Sequence, residues 1–432
     1  AMAGKNTFDL NDPRAAYANR TDLSDEEISA GLDSLWKNFC VSSNYELGSV
    51  IKPIIVASAL ESGAVSDSDV FVCDGGEQIG NDYVRCAVYP YAHGTETLGE
   101  VIQNSCNDGM MAIGRKMGAA LLLDYQSRFN FGSRTGIDLP NESSGAIYTL
   151  DQMKDMELAS TTFGQGFTST MIQEISAISA VINGGTYYQP HVVKEIKSQE
   201  DGSVLKTNEG NVLKQIVSSD VSEKIREYMG MSVTSGTSRK SKVQGYSMGG
   251  KTGTAEILST KEKDYLVSFI GFAPLDTPQV VVYVVVDRPN VEEQADSSYA
   301  QYIAQAILDE ILPYMNIYPD EETEETTKLW DGFKGVLKLD DSEVEVNEPI
   351  VQTEGSETGT DNAQDIEVVQ DESGSSEEYN DEESDGVASE NAGYEETVSE
   401  DVSDEEDASS NTSNEEDTSN QDESTYEEDE GE

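Results

Sequence analysis

The stretch YELGSVIKP, Tyr45 to Pro53, sets a serine three residues ahead of a lysine at the expected start of a helix. Two readings compete. Ser49 and Lys52 are either a nucleophile and its base or two polar residues at an ordinary helix N-terminus. The second is the default, because S-x-x-K arises by chance in many chains. The segment VIKPIIVASALESG that follows is nearly all apolar and ends at Gly63, so its helix is expected to be buried. Pro53 falls in the first turns, where a missing N–H is tolerated. Residues i and i+3 share a helix face, which puts Ser49 and Lys52 side by side. That raises the case for chemistry only modestly; the rest of the chain has to decide it.

Upstream, SDEEISAGLDSLWKNF has helical apolar spacing from Ser24 to Phe39, with Ser24 as N-cap and acidic residues in the first turn. Downstream, Thr95 to Gly118 reads as two helices interrupted near Asn104 to Asp108, and STMIQEISAISAVI as a helix closed by Asn183-Gly184-Gly185. YLVSFIGFAP and QVVVYVVVDRP, joined by LDTP, form a hairpin pattern, and SMGGKTGTAEI before them reads as a further strand. An amphipathic helix, Ser297 to Met315, is placed to cover the sheet. Helices first, an antiparallel sheet late and a closing helix give an α/β (α+β) layering without βαβ repeats.

Charge divides the 432 residues in two. The net charge is −57, and Asp320 to Glu432 alone carry 43 acidic and 3 basic residues. This region, rich in Glu, Asp, Ser, Asn and Thr, cannot bury enough apolar surface to offset its ordering entropy. We expect one domain over 1–318 and a disordered, solvated tail over 319–432, acting as a spacer or a cation-attracting brush if it has a role. The acidity of the first part argues against nucleic acid, which needs clustered Lys and Arg. The longest apolar run, Val280 to Val286, is strand-sized, and AMAGKNTFDL lacks the basic start and apolar core of a signal peptide. Met2 follows Ala1, so an upstream segment is expected to be missing. The four cysteines carry no metal-site spacing. Cys73 and Cys86 flank a hairpin-like CDGGEQIGNDYVRC and are either a disulfide or two free thiols; Cys40 and Cys106 have no evident partner.

Three short motifs stand in order: S-V-I-K at Ser49, S-C-N at Ser105 and K-T-G-T at Lys251. Singly they are weak, but the ordered set is that of penicillin-binding proteins and class A β-lactamases. The flanking text extends the match through FDLND, LWKN, HGTETLGEVIQNSCN, FGQGFTST, VINGGTYYQP, GYSMGGKTGTAE, SFIGFAP and VVVDRP. The chain resembles the transpeptidase domain of class B penicillin-binding proteins of the septal and sporulation type. The resemblance covers the globular part and none of the tail, where the family's PASTA-type modules are not recognisable. One departure is Leu47, where the family usually has proline before Gly48; a change in loop stiffness is expected there.

The resemblance implies a penicillin-binding protein/β-lactamase-like fold and a D,D-transpeptidase that cross-links peptidoglycan stem peptides and is acylated by β-lactams. Ser49 is then the nucleophile and Lys52 its base, a role that requires a lowered lysine pKa. Ser105 relays a proton to the leaving group, and Asn107 contacts Lys52 and the substrate backbone. Lys251 disfavours the charged form of Lys52, and its strand, with Gly253, pairs with the peptide as an added strand. Thr252 and Thr254 hold the terminal carboxylate, while the N–H groups of Ser49 and Thr254 form the oxyanion hole. No metal or cofactor is implied; His93 and His191 read as structural and Cys106 as a packed apolar residue. Gly164 and Gly166 read as a tight turn lining the site. The family implies an outward-facing enzyme anchored through an absent N-terminal part to a membrane cell-wall synthesis complex. Rivals within the fold are a D,D-carboxypeptidase, a β-lactamase, for which no glutamate stands in recognisable context, and a non-turning-over β-lactam sensor.

Overall fold

The computed structural model describes residues 1–4, 7–257 and 263–321. The expected acidic tail therefore lies almost entirely outside the described residues. The first helix, α1 (Asp25–Trp36), begins as the sequence dictates: the Ser24 hydroxyl accepts from the Glu27 N–H while the Glu27 carboxylate accepts from Ser24 N–H. It stops earlier than expected. Lys37 and Asn38 turn extended, and the Asn38 side chain caps a new short helix, α2 (Phe39–Ser42). A 3-10 turn, Gly48–Ile51, then runs directly into α3 (Lys52–Glu61). Every residue of α3 from Lys52 to Ala59 is buried. Each buried Ile or Val of this helix contributes about 1.5–3 kcal/mol of transfer free energy.

Two small antiparallel pairs follow. β1 (Val70–Cys73) and β4 (Gly94–Thr97) pair with each other, and between them β2 (Gly76–Ile79) and β3 (Asp82–Arg85) form the hairpin expected of the glycine-rich segment. Thr97 and Glu100 make a reciprocal cap for α4 (Leu98–Gln103). After the break comes α5 (Asn107–Arg128), which runs ten residues past the expected end at Gly118. Gly118 takes φ 72°, kinking the chain, and helical geometry resumes because AALLLDYQSR is itself a good helix former.

α6 (Asp155–Thr162) and α7 (Met171–Ile182) precede two peripheral pairs: β5 (Thr186–Gln189) with β8 (Asn211–Gln215), and β6 (Glu195–Lys197) with β7 (Val204–Thr207). Then come α8 (Ser219–Thr234), β9 (Gly249–Ile257), β10 (Asp264–Ala273), β11 (Val280–Asp287) and α9 (Ser298–Tyr314). The last three strands form an antiparallel sheet in the order β11-β10-β9, as expected from their hairpin pattern. β10 is buried from Leu266 to Ala273, so both its faces are covered. Phe269 and Val284 pack against Ala300 and Ala304 of α9, while Ile270, Phe272 and Tyr283 face the core built on α3, α4 and α7. β9 is the edge of this sheet among the described residues. Beyond α9 the chain stays attached: the Asp320 and Glu321 N–H groups donate to the Gly245 carbonyl.

Candidate active site

Ser49 lies in the 3-10 turn and Lys52 at its end, the Lys52 N–H donating to the Ser49 carbonyl. In a 3-10 turn residues i and i+3 eclipse, so the two side chains share one side of the turn. Ser49 is half-buried, whereas Lys52 is fully buried. Close backbone approach fixes the turn. Gly48 has φ +62°, its N–H donates to the Gly164 carbonyl at 3.0 Å, and a Cβ on it would meet the Thr254 carbonyl. Gly164, at φ +88°, abuts Gly48 in turn; a Cβ there would overlap the Gly48 carbonyl. These contacts give the expected FGQG turn a specific task, seating the Gly48–Ile51 turn against β9. Leu47 takes φ −70° and is wholly buried. A proline ring imposes nearly the same φ, so the backbone of the family pattern survives the exchange.

Ser105 and Asn107 sit where α4 gives way to α5. Ser105 occupies φ +57°, a costly conformation for a residue with a Cβ. Its placement pays off in contacts. The Lys52 ammonium donates to the Ser105 carbonyl at 2.7 Å, to Asn107 Oδ1 at 2.7 Å and to Ser105 Oγ at 3.2 Å. From the opposite side the fully buried Lys251 donates to the same Ser105 Oγ at 2.9 Å and to the Thr252 carbonyl at 3.0 Å. Two lysines thus converge on one hydroxyl. Burial lowers Lys52 to about 8, partly opposed by Cys106, Cys86 and Glu96. Burial, and then Lys52 itself, pull Lys251 well below its ordinary value.

Thr252, Gly253 and Thr254 lie on β9 beyond Lys251. Thr254 is exposed and Thr252 Oγ1 donates to Thr237 Oγ1 at 3.1 Å. Thr237 was not singled out from sequence; its signal is the Ser-Gly-Thr-Ser turn after α8, tied by the Thr237 N–H to the Gln103 carbonyl at the end of α4. Asn107 Nδ2 also donates to the Arg85 carbonyl at 3.3 Å, linking the site to β3.

Of the two readings left open for Cys73 and Cys86, the structure has the free thiols. All four thiols are free, and the neighbour of Cys86 is Cys106, Sγ to Sγ 3.9 Å. Cys73, Cys86, Cys106 and His93 bring one ligand atom each within 4.8 Å of one another, a set able to hold a metal ion. Cys106 is wholly buried in the core, as expected of a packed apolar residue, and His93 lies beside it. The sequence hid the set because its members come from four separate segments rather than a paired C-x-x-C spacing. His191 is exposed, two residues past the end of β5.

The model of the penicillin-binding protein transpeptidase domain matches residues 1–309. The chain belongs to this family. Stage V sporulation protein D of Bacillus subtilis is 38% identical over 304 residues, covering 69% of this chain and 47% of that protein. The peptidoglycan D,D-transpeptidase FtsI of Escherichia coli is 25% identical over 311 residues, covering 71% of this chain and 50% of that protein. Among solved structures, penicillin-binding protein 3 of Mycobacterium tuberculosis in complex with aztreonam superposes with a TM-score of 0.60 at 27% identity, covering 67% of each chain. The fold expected from the motif order is thus the fold found. The transpeptidase-family chain spans about half the length of the curated relatives it matches. Among the described residues no helix is long and apolar enough to cross a membrane.

Proposed function

We propose that this chain is the catalytic domain of a peptidoglycan D,D-transpeptidase with Ser49 as nucleophile. The observation that carries the reading is the convergence of Lys52 and Lys251 on the Ser105 hydroxyl, beside the turn that presents Ser49. A lysine lowered to about 8 has a usable neutral fraction at physiological pH, which an unperturbed lysine lacks. In this reading the Ser49 oxygen attacks the carbonyl carbon of the penultimate D-alanine and its proton passes to Lys52. The tetrahedral intermediate collapses by breaking the C–N bond, and a proton routed through Ser105 goes to the departing D-alanine amine. An amine on a neighbouring stem peptide then attacks the ester, releasing Ser49. The β9 edge at Gly253 would pair with the donor peptide, and the exposed Thr254 with Thr252 would hold its carboxylate. The N–H groups of Ser49 and Thr254 would stabilise the oxyanion. A β-lactam would follow the same first step, its ring C–N bond opening to leave a long-lived ester.

In the same reading, residues 1–318 are the transpeptidase domain and 319–432 a solvated spacer. The domain works on the outer face of the cell membrane, within a wall-synthesis complex that a further, membrane-anchored part of the protein joins.

The test is time-resolved labelling with a fluorescent penicillin. Persistent labelling that is lost in Ser49→Ala supports the reading, and transfer of a stem-peptide acyl group to an added D-amino acid separates transpeptidase from carboxypeptidase. Rapid loss of label would mean a β-lactamase; persistent label without acyl transfer would mean a sensor. Absence of any labelling would remove the assignment.

A further inference from the structure

Building on the transpeptidase reading, we infer that Arg85, seated on the Tyr89 ring beside Asn107, is a specificity residue. It binds a carboxylate of the donor stem peptide, upstream of the reacting D-alanine.

Arg85 closes β3, opposite Gly76 of β2. Side chains alternate along a strand. Val84 packs with Met111, Ala159 and Phe163, and Tyr83 and Arg85 share the other, exposed face. The Arg85 guanidinium carbon lies 4.9 Å from the Tyr89 ring centroid, and Tyr83 meets the same ring in a T-shaped pair, centroids 5.9 Å apart. Both tyrosines are nearly half exposed, so these rings do not serve the core. Stacking on an aromatic face holds the planar fork in place and leaves its N–H groups free to donate. With a glycine as the cross-strand partner of Arg85, no side chain stands opposite it.

The guanidinium has no anion of its own. Arg20, Arg115, Arg128 and Arg288 each pair with a carboxylate, whereas among the described residues Arg85 pairs with none. Asp108, whose charge reaches Tyr83, turns its carboxylate to the Asp74 N–H at 3.0 Å instead. In a chain of net charge −57, an ordered arginine fork without a carboxylate is matched to one that arrives with a ligand.

Its place in the site says which ligand. The Arg85 carbonyl accepts from Asn107 Nδ2 at 3.3 Å, which sets Arg85 next to a group that contacts the donor backbone in the transpeptidase reading. In that reading Thr252 and Thr254 hold the terminal carboxylate on β9. The residues before the reacting D-alanine then pass on the β3 side, within reach of Arg85. A guanidinium takes a carboxylate through two parallel charge-assisted bonds and gains far less from a neutral amide. The ligand is therefore a stem peptide with a free carboxylate on the residue before the D-alanine pair, not its amidated counterpart.

The experiment compares two synthetic donor peptides ending in D-Ala-D-Ala. They are identical except that the side-chain carboxylate of the preceding diamino acid is free in one and amidated in the other. D-Alanine release gives kcat/KM for each with the full chain, and fluorescent penicillin, which carries no such residue, reports acylation separately. We expect wild type to favour the carboxylate peptide about ten- to hundredfold, the scale of hydrogen bonds to a charged partner. Arg85→Gln should bring that ratio close to one, mainly through KM. Arg85→Lys should restore part of it, and Tyr89→Leu should lower it severalfold. The ratio is taken within each protein, so poor folding of a variant lowers both rates and leaves it standing. Equal use of the two peptides by wild type, a preference for the amide, or a preference that survives Arg85→Gln would overturn the inference, while persistent penicillin labelling and D-alanine release keep the transpeptidase reading. Release from neither peptide would remove both.

Discussion

The two turns that meet at Lys52 are built in opposite ways. The Gly48–Ile51 turn is held by backbone: Gly48 against Gly164 and Thr254, with no room for a Cβ at either glycine. The Ser105–Asn107 turn is held by side chains. Its central residue reaches back to Cys86, its flanking residues reach Lys52 and Arg85, and Ser105 sits at a φ it would not choose. A turn fixed by excluded volume stays put whatever the solution contains. A turn held through a lysine ammonium depends on the protonation of that lysine. Ser49 is thus on the insensitive side of the site, and Ser105 and Asn107 are on the sensitive side.

Breaking each side should show the contrast. The largest effect is expected from Ser49→Ala, which should abolish penicillin labelling while leaving thermal unfolding within about 1 kcal/mol of wild type; residual labelling at a comparable rate would place the nucleophile elsewhere. Lys52→Ala should lower the acylation rate constant by about 10²–10⁴-fold, the range typical of a lost general base, in stopped-flow measurements with a chromogenic β-lactam. Gly164→Ala must both adopt φ +88° and push its methyl into the Gly48 carbonyl. We expect a loss of about 2–4 kcal/mol in urea unfolding together with weak labelling, whereas an equivalent change at Gly63, which has open space around its Cα, should leave labelling intact.

The sensitive side should respond to pH. Because Lys52 is lowered to about 8, its neutral form is scarce at pH 6 and predominant by pH 9. The acylation rate should therefore climb roughly tenfold per pH unit below about 8 and level off above it. A flat profile from pH 6 to 9 would mean that Lys52 is not the base.

The smallest effect on activity is expected from Glu174→Gln. Glu174 is fully buried on α7, neither of its oxygens has a hydrogen bond among the described residues, and burial raises it to about 8. The folded state then keeps this proton at pH values where the unfolded chain has lost it. Its contribution is most favourable below the ordinary glutamate range and is lost as pH rises toward 8. Glu174→Gln should remove much of the fall in melting temperature between pH 5 and 8 and leave labelling near wild type. An unchanged slope would mean that the carboxyl is not titrating there.

Much of this was legible in the chain. The caps at Ser24, Thr97 and Thr170 are local, since each hydroxyl serves an N–H three residues away. The β9–β10–β11 order follows from three strand patterns joined by short connections. Other features were not legible. The break at Lys37–Asn38 and the continuation of α5 past Gly118 turn on single backbone angles, which apolar spacing does not encode. Thr237 reaches the site because Gln103, more than a hundred residues earlier, holds its loop.

The sequence by itself determined which chemical groups are present, in what order, and on which kinds of element: a serine and a lysine at a helix start, a Ser-Cys-Asn break, a lysine on an edge strand. Only the tertiary structure decided what those groups are like. Lys52 is lowered because it is buried, Lys251 because it is buried and has Lys52 beside it, and three cysteines and a histidine form one cluster because four separate segments meet at the start of α5. Burial and proximity between remote segments are properties of the folded chain, and no local pattern of residues contains them.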